Sequence, residues 1–178
     1  MSVLLVGLDE ERGPAVVAKL LAEDDIVGVI EEQAGRGDKW RDLGAHVAIG
    51  SPDDADLIER AAQHARSIVV FEHDTERARQ ILAAVLEGAR LVPGEAARII
   101  YVADAPPREI VDALRGSAFD YVLLRLGRRG RLVRRRPTLE PEDLAEAINA
   151  ADDLAGDPRL DVDPGHPDGR RALGLEVP

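Results

Sequence analysis

The chain has 178 residues, 23 Lys and Arg against 34 Asp and Glu, a formal net charge of −11, and no cysteine. That balance argues against general attraction to nucleic acid or anionic membrane, and the missing thiols exclude disulfides, thiolate metal sites and cysteine nucleophiles. Hydrophobic residues make up 45% but aromatics only 3%, so Val, Ile, Leu and Ala must fill the core, as they do in parallel sheets covered by helices.

In chain order, the first apolar run is Val3-Leu4-Leu5-Val6, followed by "GLDEERG" and a helical pattern through Val16, Val17, Leu20 and Leu21. Further β-rich runs are expected at Ile26–Ile30, His46–Ile49, Ser67–Phe71, Arg98–Ala103 and Phe119–Leu124. Between them lie helical spacings at Leu57, Ile58 and Ala61, at Ala78, Ile81, Leu82, Val85 and Leu86, and at Ile110, Val111 and Leu114. The Pro106-Pro107 pair opens the last of these, since proline suits a first helical turn. Glu31 to Ala45 is weakly periodic and interrupted by Gly35 and Gly37. After Leu124, seven arginines crowd between Arg125 and Arg136 before Pro137. A helix is expected over Pro141–Leu154, with Leu144, Ile148, Ala151 and Leu154 on one face. From Gly156 onward, Pro158, Pro164, Pro167, Gly165 and Gly169 suggest an irregular tail.

Strand–helix alternation predicts an α/β, Rossmann-like, doubly wound parallel sheet of about six strands with a C-terminal helix and irregular tail. The expected organisation is a Rossmann-like region over 1–136 and a helix and tail over 137–178. No apolar stretch approaches the length of a membrane helix, and no basic leader precedes the first strand, so a soluble cytoplasmic protein is expected.

In such folds the turn after the first strand cradles phosphate on bare backbone. Here Gly7 and Gly13 are present, but Asp9, Glu10, Glu11 and Arg12 stand between them. Two like charges about 4 Å apart repel by about 4 kcal/mol near a protein surface. Simple pyrophosphate binding at this turn is therefore disfavoured. The acids suit either a hard cation such as calcium or the first turn of the following helix. Glu31 ends the second strand, where an acid accepts a ribose hydroxyl, and with Glu32 beside it favours NAD-type or adenosine ligands over NADP. Ser51 and His73 follow the third and fourth strands, also at ligand-facing ends. His73, flanked by Glu72 and Asp74, is suited to hold a proton or assist a metal, or is an ordinary loop histidine. Asp74 or Thr75 is the expected cap of the next helix.

No Tyr-x-x-x-Lys occurs, and the only lysines are Lys19 and Lys39. No catalytic set emerges, and the expectation is a protein that is not an enzyme and does not turn over NAD(P)H. The arginines from Arg125 to Arg136 read as a solvated surface, as a docking face for an acidic partner or a second copy, or as a phosphate contact; they lack the interleaved aromatics of base stacking. The apolar stripe on the Pro141–Leu154 helix points to a homo-oligomer.

Two families share this element order. "FDYVLLRLG" resembles the last strand of atypical short-chain dehydrogenases. The short "DAPPREIVDALRGSA" between the fifth and sixth strands instead resembles the compact unit of RCK (TrkA-N) domains, regulators of cation channels and transporters. The G-x5-G spacing of "GLDEERG", with "GSPDDADL", "ARSIVV", "ARQILAAVL", "ARIIYV" and "GRL", resembles the Castor/Pollux type. That resemblance spans roughly residues 1–135 and implies a non-catalytic, ligand-sensing regulatory module with a degenerate dinucleotide turn, linked to potassium or other cation transport. The alternatives are a degenerate short-chain dehydrogenase-like NAD(P)-binding protein and a structural interaction scaffold.

Overall fold

The computed structural model describes residues 2–8, 10–23, 26–71, 75–126, 139–156 and 158–177. The described residues form β1 (Ser2–Val6), α1 (Gly13–Ala22), β2 (Ile26–Glu31), α2 (Ala34–Leu43), β3 (His46–Ile49), α3 (Ala55–Ala61) and β4 (Ala65–Phe71). They continue with α4 (Thr75–Leu91), β5 (Arg98–Ala103), α5 (Arg108–Gly116), β6 (Tyr121–Arg125), α6 (Pro141–Asp152), β7 (Arg159–Val162) and α7 (Pro167–Ala172). All ladders are parallel and the order is β3-β2-β1-β4-β5-β6-β7. The direction of winding reverses between β1 and β4, which makes their carboxyl ends the topological switch point.

Strand alternation divides the core into two layers. Val3, Leu5, Val27, Val29, Val69, Ile100, Val122 and Leu124 face α1, Trp40 of α2, and α6. Leu4, Val6, Ile30, Ile68, Val70, Ile99, Tyr101 and Leu123 face α3, α4 and α5. β-branched and leucine side chains on both faces explain why the strands read as nearly unbroken apolar runs.

The expected strands appear with small shifts at their ends, and the sheet gains a seventh strand from the stretch expected to be irregular. β7 pairs with β6 through Tyr121↔Arg159 to Leu124↔Val162. Turn residues hid it, because β7 is four residues long and flanked by Pro158 and Pro164. α7 follows, its Gly169 pressed against the Asp163 backbone, and Leu173 just beyond it is buried in the α1–α6 layer. α2 was weakly marked because only Gly37 and Trp40 are buried along its length.

The apolar stripe of α6 is covered within the chain. Leu144, Ala145, Ala147, Ile148 and Ala151 are fully buried, mainly against α1. Burying a leucine or isoleucine is worth roughly 1.5–3 kcal/mol, so this face contributes to the fold and no longer calls for a second copy to cover it. Among the described residues no helix is long and apolar enough to cross a membrane.

Candidate functional site at the carboxyl edge of the sheet

The carboxyl ends of β1, β2 and β4 bring two expected residues, Gly7 and Glu31, around one crevice. Val6 pairs with Ile30 and with Val70, so Gly7, Glu31 and Phe71 stand level one residue further on. Gly7 has φ +76°, and a Cβ there would strike the Phe71 carbonyl oxygen. Only glycine lets the chain turn there so close to β4. Gly13 opens α1, and a Cβ on it would lie 2.6 Å from the Trp40 ring. Gly7 thus serves a tight turn, as a fingerprint's first glycine does, while Gly13, six residues on, lets α1 pack closely on Trp40 of α2.

Glu31 is half-buried at the end of β2. Its carboxylate accepts hydrogen bonds from the Gln33 backbone N–H at 3.1 Å and from Trp40 Nε1 at 3.2 Å. These two donors fix its orientation, and a carboxylate has further lone pairs for a hydroxyl. Glu32 beside it pairs with Arg77 of α4 and accepts from Ser51 Oγ at 3.4 Å. Ser51 is exposed, and its one hydroxyl proton is shared between Glu32 and the nearer Asp53 carboxylate. The structure therefore joins Glu31, Glu32 and Ser51 along one rim. Asp9, Glu72, His73 and Asp74 lie outside the described residues, as do residues 127–138 with most of the arginine run. Arg125 itself makes a fork with Asp161 of β7 at 2.5 and 2.8 Å, and this hydrogen bond raises the pKa of its guanidinium. It is engaged within the sheet.

Of the acidic turn, Glu10 and Glu11 are among the described residues. Arg12 occupies the N-cap of α1 and offers no side-chain acceptor to the first-turn N–H groups. Glu10 forms a 3.0 Å ion pair with Arg36 in the first turn of α2. Among the described residues no cluster of three or more His, Asp or Glu side chains has metal-holding geometry. Sequence reasoning missed Arg36 and Arg77, because an arginine in an exposed helix carries no motif of its own.

A cleft of about 790 Å³ lies at the opposite edge of the sheet, lined by His64, Arg66, Glu95, Arg98, Asp120 and Asp153 among others. Its most buried polar groups already serve the fold. Asp152 is buried, accepts from Ser67 Oγ at 2.5 Å, and pairs with Arg66. Arg98 donates to the carbonyls of Ala151, Asp152 and Leu154, each at 2.7 Å, at the C-terminus of α6. Burial pushes its pKa down, opposed by Asp120. This edge fastens α6 to β4 and β5.

The fold and the crevice define a parallel, doubly wound α/β protein with the layout of a dinucleotide-binding domain. No family model matches the sequence, and no curated protein matches it. Solved structures match its fold. The anaerobillin reductase ChuY of Escherichia coli O157:H7 is 17% identical, with TM-score 0.63 over 90% of this chain and 95% of that one. An NADPH-dependent quinone oxidoreductase of Escherichia coli is 16% identical, with TM-score 0.67 over 90% and 67%. A Citrobacter sp. triphenylmethane reductase complexed with NADP(H) is 15% identical, with TM-score 0.64 over 92% and 69%.

These neighbours overturn the expectation that the chain is not an enzyme, since the fold is shared with reductases. The physical error was to equate a missing Tyr-x-x-x-Lys with missing chemistry. Hydride transfer depends first on placing donor and acceptor together. The neighbours lend the RCK resemblance no specific support; what holds is the coarser statement, a Rossmann-like fold of the kind that binds nucleotides.

Proposed function

We propose that the chain is an NAD(P)-binding reductase of short-chain-dehydrogenase-like build, with the dinucleotide lying across the carboxyl ends of β1, β2 and β4. The observation that carries this is Gly7 and Glu31 standing level at the switch point, with Gly13 closing α1 onto Trp40. Gly7 and the start of α1 would face the pyrophosphate, and Glu31 the adenosine ribose. Glu31 and Glu32 together would repel a 2′-phosphate, which favours NAD(H) even though two of the neighbours are described with NADPH or NADP(H). This reading replaces that of a cation-transport sensor, because reductase neighbours support it.

The bound nicotinamide would supply a hydride. The missing Tyr-x-x-x-Lys favours a conjugated acceptor, such as a quinone or an extended π-system. An acceptor of that kind takes the hydride into a delocalised anion and then a proton from water, so no side chain need protonate a developing alkoxide. The products are the dihydro acceptor and oxidised nicotinamide.

The test is NADH consumption by the pure protein against a panel of quinones, conjugated enones and simple ketones. Acceptor-dependent oxidation above the protein-free blank, faster with NADH than with NADPH and best with quinones, is expected. No acceptor-dependent oxidation with either nucleotide, together with no binding of either, would overturn the reading.

A further inference from the structure

The fingerprint's second and third glycines bracket the approach to the phosphates. In G-x-x-G the two are three residues apart, and Gly13 is held as the third by its contact with Trp40. Counting back from Gly13 reaches Glu10 and counting on from Gly7 reaches Asp9, so Glu10 belongs to the stretch where a bare backbone would approach the pyrophosphate. Glu10 is exposed, yet it does not simply point to water: its carboxylate pairs with Arg36 at 3.0 Å. The pair joins the β1–α1 connection to the first turn of α2. Those two segments flank the interval between Glu31 and the start of α1, which a dinucleotide must occupy.

Two features make this contact suited to exchange. Both partners are half-exposed or more, with side-chain exposures of 65% for Glu10 and 52% for Arg36, so the pair is cheap to break. The anion it holds is a carboxylate, and guanidinium accepts phosphate with the same fork geometry. The N-cap side chain of α1, that of Arg12, supplies no acceptor to the first turn.

We propose that Glu10 is an internal counter-anion which stands in for the cofactor's pyrophosphate and gates the crevice. This rests on the reading of the crevice as a dinucleotide site. A dinucleotide binds only when Glu10 swings to solvent, which releases Arg36 to the phosphates. One ion pair is broken and one is formed, so the charge around Arg36 stays balanced. Glu10 therefore sets affinity at the phosphates, while Glu31 sets it at the ribose.

The experiment is calorimetric titration of the full chain with NADH and, separately, with adenosine, which carries the ribose and base without phosphate. Glu10→Gln removes the charge at nearly constant shape, and Glu10→Gly also restores the bare backbone. Thermal unfolding without ligand checks that each variant folds. Glu10→Gln should tighten NADH by at least about fivefold and Glu10→Gly by more, with adenosine unchanged in both. Adding Arg36→Gln to Glu10→Gly should reverse most of that gain. NADH affinity equal in parent and both Glu10 variants, with adenosine still binding, overturns the gate and leaves the dinucleotide site standing. A gain that survives Arg36→Gln overturns the exchange onto Arg36. Folded variants that bind neither NADH nor adenosine overturn both the gate and the reading beneath it.

Discussion

The two edges of the sheet use charge in opposite ways. At the amino edge, Asp152 is fully buried and held by Arg66 and Ser67, while Arg98 closes the last carbonyls of α6. At the carboxyl edge, Glu10 with Arg36 and Glu32 with Arg77 form pairs in which every side chain is more than a third exposed. Partners buried together must be satisfied inside the fold, because an uncompensated buried charge costs several kcal/mol. Exposed pairs contribute little to stability and are free to exchange partners. The amino edge therefore reads as a joint and the carboxyl edge as a candidate site, although a cleft of about 790 Å³ lies at the joint.

The largest effect that separates the edges should come from Asp152→Ala. It leaves Ser67 without its carboxylate and Arg66 with the exposed Asp153 in place of a buried partner, and should cost about 3 kcal/mol in chemical denaturation. A loss below about 1 kcal/mol would make this network no firmer than a surface pair. Gly7→Val comes next and probes the carboxyl edge where it is rigid. The positive φ and the nearby Phe71 carbonyl should together cost about 2 kcal/mol or more, with NADH binding lost as well. Normal stability in that variant would mean that the turn can relax away from β4.

Arg98→Met should cost about 1–2 kcal/mol, since it strips the cation and its donors from the C-terminus of α6. Hydrogen exchange should localise the loosening to α6. An unchanged α6 would assign its anchoring to Leu144 and Ile148 alone. The smallest effect should come from Arg77→Ala, within about 0.5 kcal/mol, because its pairing with Glu32 is exposed. A large loss there would erase the contrast between the two edges.

Most of the fold was legible because its signal is local. Six strands appear as runs such as Val3–Val6 and Ser67–Phe71, and α4 as apolar residues three and four apart. β7 was not legible, because four residues between prolines carry too little pattern and their partner β6 is far away in sequence. α2 was weak for a similar reason, since Gly37 and Trp40 carry its buried face. At the site, Gly7, Gly13 and Glu31 could be named from the order of strand, turn and helix. Arg36 and Arg77 could not, because their roles exist only as contacts across elements. The amino-edge network joins residues 66, 67 and 152, which no spacing rule connects.

The claim that the carboxyl edge holds a dinucleotide has a built-in reporter. Trp40 is the sole tryptophan, and its indole N–H donates to Glu31, the residue assigned to the ribose. Titration of Trp40 fluorescence with NADH, and in parallel with NADPH, reads that contact directly. The account predicts saturable quenching by NADH at lower concentration than by NADPH, with Glu31→Ala weakening NADH and narrowing the difference between the two. Trp40 emission unmoved by millimolar NADH in the parent, beyond what free tryptophan shows, would contradict it.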